Sequence, residues 1–401
     1  MFNDGKKVGN KINIVFVCYR PQVWQSLASV CDECIKDYRF DVTIVAVPEK
    51  NQFRTSGRNQ NKYLSQNVEE FFNGVPCRVI NGYNYKWKHF ISLKRLKPDY
   101  IFFQTPYNVH RCKKYNAKKV SKYARILYVH YAFNAIGAGL FEECYQYDFF
   151  KYVYSVFTQS EFDDKLVREY FSKKCIESKT ILSGFPRYDF LRHDGNENIN
   201  CLKWNYKDHT GKFRVIWTPR WTTDEGNCNF FDYKDSLIDF VAKDKDIDFI
   251  FRPHPLSFLN WNANKEMTSQ DATAYKGKYV SVPNATIDFS SEYFSTFFTS
   301  NALITDISSI MIDYFVTGKP IIYCHKKDCF NELTRKIADG FYWVRNWDEL
   351  KKTIIQLKNG HDPLKEKRME LIKRYIYMPP QGAGYTIKEW IKKDYEESRK
   401  N

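Results

Sequence analysis

The 401-residue chain has no apolar run approaching the roughly 18 residues of a membrane-spanning helix. Its polar start, MFNDGKKVGNK, lacks the apolar core of a secretory signal. Both absences point to a cytoplasmic protein. There is no P-loop and no G-x-G-x-x-G fingerprint, which removes two common phosphate-binding turns. No internal repeat or low-complexity segment is visible. The eleven cysteines are odd in number and follow no repeat spacing, as free thiols in a reducing compartment do. Cys31 and Cys34 lack a second ligand pair, and Cys324, His325 and Cys329 lack a fourth ligand nearby. Neither group reads as a metal centre.

What is present is apolar and basic. At 43% hydrophobic and 17% aromatic, the chain can bury the cores of two α/β domains. The net charge of +15 is unevenly spread. Residues 86–125 hold twelve Lys and Arg against Asp99 alone, a local charge of +11. Lys113, Lys114, Lys118 and Lys119 form its densest part. Such a concentration fits a solvated helix face, or an anionic partner: a nucleic acid, a polyphosphate or an acidic membrane surface.

Strands and helices alternate along the chain. Apolar runs at Ile12–Cys18, Val42–Val47, Asp99–Phe103, Arg125–His130 and Tyr152–Phe157 predict strands, with shorter ones at Cys77–Ile80 and Thr180–Leu182. Helices are predicted at Gln22–Asp37, Val68–Phe72, Glu161–Phe171 and in a turn ending at Lys97, with a basic helix before Arg125. The pattern restarts at Phe213–Trp217, Asp232–Ala242 and Ile247–Phe251, and continues through Ala302–Cys324. Helices near Trp347–Leu357, Pro363–Tyr375 and Tyr385–Glu397 follow. The fold class is therefore α/β with doubly wound parallel sheets. The domains are expected as a flexible start at 1–10, a first Rossmann-like domain at 11–189, a polar linker at 190–211 and a second at 212–376. A C-terminal helix at 377–401 is expected to pack back on the first domain. Two joined α/β domains predict a cleft between them.

Polar motifs sit at the predicted strand ends, where open α/β sheets bind ligands. In NALITDISSIMIDYFVTGKPIIYC, Asp306 ends a strand, and Ser308 and Ser309 open a helix whose free N–H groups favour an anion. An ordinary Ser-capped helix reads equally well. Arg252-Pro253-His254-Pro255 holds a stiffened His beside an Arg, suited to phosphate oxygens or simply to a turn. Trp217-Thr218-Pro219-Arg220-Trp221 offers Thr218 and Arg220. Gly184-Phe185-Pro186-Arg187-Tyr188-Asp189 places Arg187 at a domain junction or a hinge turn.

The order and spacing of GFPRYD, WTPRW, RPHP and TSNALITDISSIMIDYFVTGKPIIYC resemble the CDP-glycerol glycerophosphotransferases, the glycerol- or ribitol-phosphate transferases of teichoic acid and capsule synthesis. The resemblance covers about Gly184 to Cys324. It implies a GT-B fold with the CDP-alditol donor on the C-terminal domain. A lipid-linked polyanionic or glycan acceptor would lie against the N-terminal domain. It further implies an enzyme on the inner face of the cell membrane, with no cofactor or metal beyond the CDP-glycerol or CDP-ribitol substrate. By motif, His254 matches the family's essential His, and Ser308 and Ser309 its paired phosphate-binding hydroxyls. Asp306 matches the preceding acid, and Arg187 the Arg of G-x-P-R. Thr218, Arg220 and Arg252 join the donor set, with Asp313 as a ribose contact. His130 matches the presumed base, although Tyr131-Ala132-Phe133 replaces the family's Gly-Thr-Pro stretch. A core histidine is the alternative there.

The expected reaction is transfer of an alditol phosphate to a hydroxyl of a cell-surface polymer, releasing CMP. Two other readings are a GT-B glycosyltransferase using a nucleotide sugar, and a non-enzymatic nucleic-acid- or membrane-binding protein. The absence of any visible RNA or DNA module weighs against nucleic acid.

Overall fold

The computed structural model describes residues 11–50, 67–133, 148–192, 204, 211–290 and 293–400. The expected flexible start at 1–10 and most of the expected linker lie outside them. The chain divides into two compact units. One comprises residues 1–132, 141–192 and 377–401, and the other 133–140 and 193–376.

In the first unit the strands are β1 (Ile12–Cys18), β2 (Phe40–Ala46), β3 (Arg78–Asn81), the short hairpin β4 (Tyr83–Asn84) and β5 (His89–Phe90), β6 (Tyr100–Phe103), β7 (Arg125–Val129), β8 (Ser155–Thr158) and β9 (Lys179–Leu182). Seven of them form one sheet in the order β3-β2-β1-β6-β7-β8-β9. All its pairings are parallel. Both faces of such a sheet are covered, which is why INIVFVC reads as a continuous apolar run rather than an alternating one. Phe16 of β1 stacks on Phe102 of β6 with centroids 5.0 Å apart.

The second unit repeats the plan with β10 (Phe213–Thr218), β11 (Ile247–Phe251), β12 (Ala285–Ile287), β13 (Ala302–Thr305), β14 (Ile321–Cys324) and β15 (Tyr342–Val344). Their order is β12-β11-β10-β13-β14-β15, again all parallel. Trp217, Phe230, Phe251 and Trp261 fill its core, and Phe230 and Trp261 stack at 3.9 Å. Much of the aromatic content is thus interior packing rather than a stacking platform for bases.

Several local expectations shift. The helix expected at Val68–Phe72 is a single 3-10 turn at Glu70–Phe72, and that ending at Lys97 is another at Leu93–Leu96. Lys97 takes φ +49° before Pro98, which stops any continuation. The basic helix shrinks to Ala117–Val120. Among the described residues no helix is long and apolar enough to cross a membrane.

The last helix, Ala383–Ser398, belongs to the first unit. Asp189 of GFPRYD caps it from a distance, accepting the backbone N–H groups of Ala383 and Gly384 at 2.7 Å each. Ser29 also donates to that carboxylate. Gly384 is required here, because a Cβ would lie 2.1 Å from Ser29 Oγ. Further along, Asp394 accepts from Tyr100 (2.7 Å), Arg125 (2.9 Å), Tyr154 (2.6 Å) and Lys179 (3.2 Å). Burial raises its pKa, but these donors outweigh that and hold the carboxyl below its ordinary value.

Candidate functional site

Because every strand of the second sheet runs the same way, the ends of β10, β11 and β13 present their motifs along one edge. Asp306 organises it. Fully buried, it accepts the N–H of Arg220, the N–H of Asn229 and the Asn229 side-chain amide, each at 2.9 Å. Burial pushes its carboxyl up to about 6 against the pull of those donors. Asp306 therefore pins the loops after β10 and β13 from inside. Thr218 is likewise interior, donating to Thr305 Oγ1 at 2.8 Å.

Arg220 is held by that backbone bond and reaches the carbonyl of Ile307 at 3.3 Å with one arm and Glu225 at 2.6 Å with the other. It therefore lies beside Ser308. Ser308 is the N-cap of the helix Ser309–Phe315, yet its hydroxyl makes no capping bond. Its Oγ is buried and has no hydrogen-bond partner among the described residues. Ser309 begins the helix, half-buried.

His254 is exposed, with its ring 5.8 Å from that of Trp221. Desolvation by its packed surroundings, and then the Arg220 charge, push its pKa down to about 4. Its Nδ1 accepts the Leu256 N–H at 3.2 Å. The neutral ring must therefore carry its proton on Nε2, as a donor. Arg252 is committed elsewhere: it pairs with Asp288, donates to the Ser290 carbonyl at 2.5 Å and stacks over Tyr293 at 5.3 Å. Tyr293 donates to Asp313 at 2.7 Å. Asp313 is 1% exposed and supports Tyr293 from within, so the structure does not present it at the edge where a ribose would lie.

In the first unit His130 follows β7 and is buried. Its Nδ1 lies 2.7 Å from the Ala132 carbonyl. A carbonyl only accepts, so Nδ1 carries the proton and Nε2 a lone pair; the Ala132 N–H, at 3.4 Å, is too far to compete. Burial and the nearby Arg187 charge push its pKa down to about 4, against the Ala132 bond. The two histidines thus present opposite Nε2 chemistry. Gln159 donates to the same carbonyl at 2.9 Å, and Arg187 donates to the Tyr131 carbonyl at 2.7 Å. Arg187, expected among the donor contacts, is built into the His130 turn of the first unit.

Lys113, Lys114, Lys118 and Lys119 are exposed on consecutive short turns. Arg111 is not part of this surface: it is buried, stacked on Phe103 and Phe149 and bonded to Thr105. Arg125 is tied to Asp394. Asn229 was invisible to motif reading because its role depends on a carboxylate 77 residues away. Among the described residues no three His, Cys, Asp or Glu side chains group closely enough to hold a metal ion.

A family described as CDP-Glycerol:Poly(glycerophosphate) glycerophosphotransferase matches residues 125–375. A teichoic acid glycerol-phosphate transferase of Staphylococcus aureus is 29% identical over 171 residues, covering 41% of this chain and 39% of the relative. The minor teichoic acid biosynthesis protein GgaB of Bacillus subtilis is 30% identical over 151 residues, covering 36% of this chain and 15% of that protein. The matched segments thus span well under half of these relatives. In fold, the chain resembles a structure of the wall teichoic acid polymerase TagF with CDPG (TM-score 0.62, 14% identity, 98% and 91% covered). It also resembles a putative UDP-N-acetylglucosamine 2-epimerase of Listeria monocytogenes (TM-score 0.59, 10% identity, 96% and 97% covered). The two Rossmann-like units are those of a GT-B-like protein.

Proposed function

The chain belongs to the CDP-glycerol:poly(glycerophosphate) glycerophosphotransferase family, and from that premise we propose that it transfers glycerol phosphate or ribitol phosphate from a CDP-alditol to a hydroxyl of a teichoic-acid-like polymer. The observation that carries the reading is the unpartnered, buried Ser308 hydroxyl beside Arg220 in the family-matched unit. An N-cap serine that makes no cap leaves both its hydroxyl and the helix N–H groups for an anion.

In this reading Arg220, His254, Ser308 and Ser309 hold the donor pyrophosphate. His254 donates through Nε2–H, and Arg220 supplies charge. Arg252, Asp306 and Thr218 shape the edge without touching the ligand. His130 accepts the proton of the acceptor hydroxyl at Nε2, with Arg187 and Gln159 fixing its turn. The acceptor oxygen bonds to the phosphorus bearing the alditol, the bond to the bridging oxygen breaks, and CMP leaves with that oxygen. Most of the acceleration is positioning and neutralisation of charge. The exposed lysines at 113, 114, 118 and 119 hold the protein at the anionic inner membrane surface, where a lipid-linked acceptor resides.

The test is release of CMP or UDP from a panel of CDP-glycerol, CDP-ribitol, CMP-sugars and UDP-sugars. CMP release from a CDP-alditol, dependent on a polyol-phosphate acceptor, is the expected result. Turnover confined to a nucleotide sugar would overturn the reading.

A further inference from the structure

The order β3-β2-β1-β6-β7 in the first sheet reverses direction between β1 and β6. Open α/β sheets bind ligands outside the strand ends at such a switch point. Here the floor of that point is built from buried polar side chains. Gln104 Oε1 accepts the N–H groups of Tyr19 and Arg20 at 2.8 and 2.9 Å, and its amide donates back to the Arg20 carbonyl at 2.8 Å. The Tyr19 and Thr105 hydroxyls bond at 2.7 Å.

Above this floor stand groups that the proposed mechanism does not use. Arg20 places both Nε and Nη2 at 2.6 Å from one oxygen of Glu49. His110 is 6% exposed, and its Nδ1 has no hydrogen-bond partner among the described residues. That nitrogen lies 3.9 Å from the bonded Glu49 oxygen, too far for a hydrogen bond. The contact is not an ion pair either, since burial and then Arg20 and Arg111 hold the ring neutral, with its pKa down to about 3. Lys50 N–H, bonded to the His110 carbonyl at 3.2 Å, holds the two loops together.

The cluster continues to the proposed base through ring and hydroxyl contacts. His110 lies 5.1 Å from Tyr107, the Tyr107 and Tyr131 hydroxyls are 3.2 Å apart, and Tyr131 stacks on His130 at 5.3 Å. A carboxylate, a neutral imidazole and two phenols are suited to the hydroxyls of a polyol. The Arg20 side chain, 33% exposed, keeps donors for a phosphate.

We propose that Arg20, Glu49 and His110, with Tyr107 and Tyr131, form an acceptor subsite that recognises the terminal polyol phosphate of the growing polymer. This rests on the transferase reading and extends it to the residues that select the acceptor.

Calorimetric titration of the full chain with a synthetic glycerophosphodiester trimer tests it, with CDP-glycerol titrated separately. Glu49→Gln and Arg20→Ala are expected to weaken trimer binding, and to raise its KM, by about tenfold or more. CDP-glycerol affinity is expected to stay within about twofold, because those groups lie in the other unit. Arg20→Lys, which keeps the charge without the fork, is expected to recover part of the loss. Thermal melts confirm folding; should Glu49→Gln unfold, Arg20→Lys and Tyr107→Phe carry the same comparison. Unchanged trimer binding in the variants, an equal loss of CDP-glycerol binding, or a wild type that does not bind the trimer would each overturn the subsite. A wild type that binds the trimer but turns over no CDP-alditol sinks the transferase reading and leaves the subsite standing.

Discussion

Asp306 and Asn229 are joined twice, the backbone N–H and side-chain amide of Asn229 each donating at 2.9 Å to the same carboxyl group. With the Arg220 N–H as a third donor, the site needs an acceptor at every position. Asp306→Asn turns one acceptor into a donor facing donors. The expected cost is about 1–3 kcal/mol, the penalty for buried groups left unmatched. Denaturant unfolding followed by tryptophan fluorescence measures it; a change below about 0.5 kcal/mol would show that the loops hold without this hub.

For the donor cluster, His254→Ala and the double variant Ser308→Ala, Ser309→Ala are expected to lower turnover by about 10²-fold or more with near-wild-type melting. Steady-state kinetics with a CDP-alditol decide the matter. Normal activity in both would remove these residues from the donor site.

His130 yields a pH forecast. With a pKa near 4 it is about nine-tenths neutral at pH 5, whereas a histidine of ordinary pKa would be only about 3% neutral. Any fall in acceptor-dependent turnover between pH 7 and pH 5 is therefore expected to follow protonation of Asp306, near 6, rather than of His130, and to be kept in variants of the His130 turn. His130→Ala should cost about 10²–10⁴-fold in turnover while leaving donor affinity unchanged. Stability has its own sign. Between the ordinary value of 6.5 and about 4 the unfolded chain binds a proton that folded His130 refuses, so this group makes stability fall as pH drops through that window. A variant that is unstable yet fully active per folded molecule would make His130 a packing residue.

Asp189 and its two N–H partners form a cap, so Asp189→Ala is expected to cost about 0.5–2 kcal/mol. Hydrogen exchange is expected to rise first at Ala383–Thr386. Uniform exchange along the helix would contradict the cap.

On the surface, each lysine near an anionic bilayer contributes about 1 kcal/mol within a Debye length of roughly 8 Å. The protein is expected to sediment with anionic liposomes at low salt and to be released at high salt. Exchanging Lys113, Lys114, Lys118 and Lys119 for Glu should abolish this and reduce activity on a lipid-linked acceptor more than on a soluble one. Equal binding to neutral liposomes would argue against the electrostatic surface.

What could be read beforehand was local. Ala302–Thr305, the turn and Gly318 declare a strand, helix and stop within one short window, and β13, the helix Ser309–Phe315 and β14 follow that reading. Gly318 takes φ +74°. What could not be read was which polar groups face inward. Asp306, Asp313 and Arg111 resemble ligands or surface charge in the sequence, but their partners come from loops far along the chain or from rings on neighbouring elements. Spacing carries no information about such pairings. His254 and Ser308 lie at the strand-end edge because proline and helix start, both local signals, set their backbone.

The helix Ala383–Ser398 is synthesised after every residue of the second unit, whose bulk is the continuous stretch 193–376. Until it emerges, Tyr100, Arg125, Tyr154 and Lys179 lack the carboxylate that gathers them. Domains usually mature in the order in which they leave the ribosome. Here that order is inverted: the half of the protein begun first is the last to be completed.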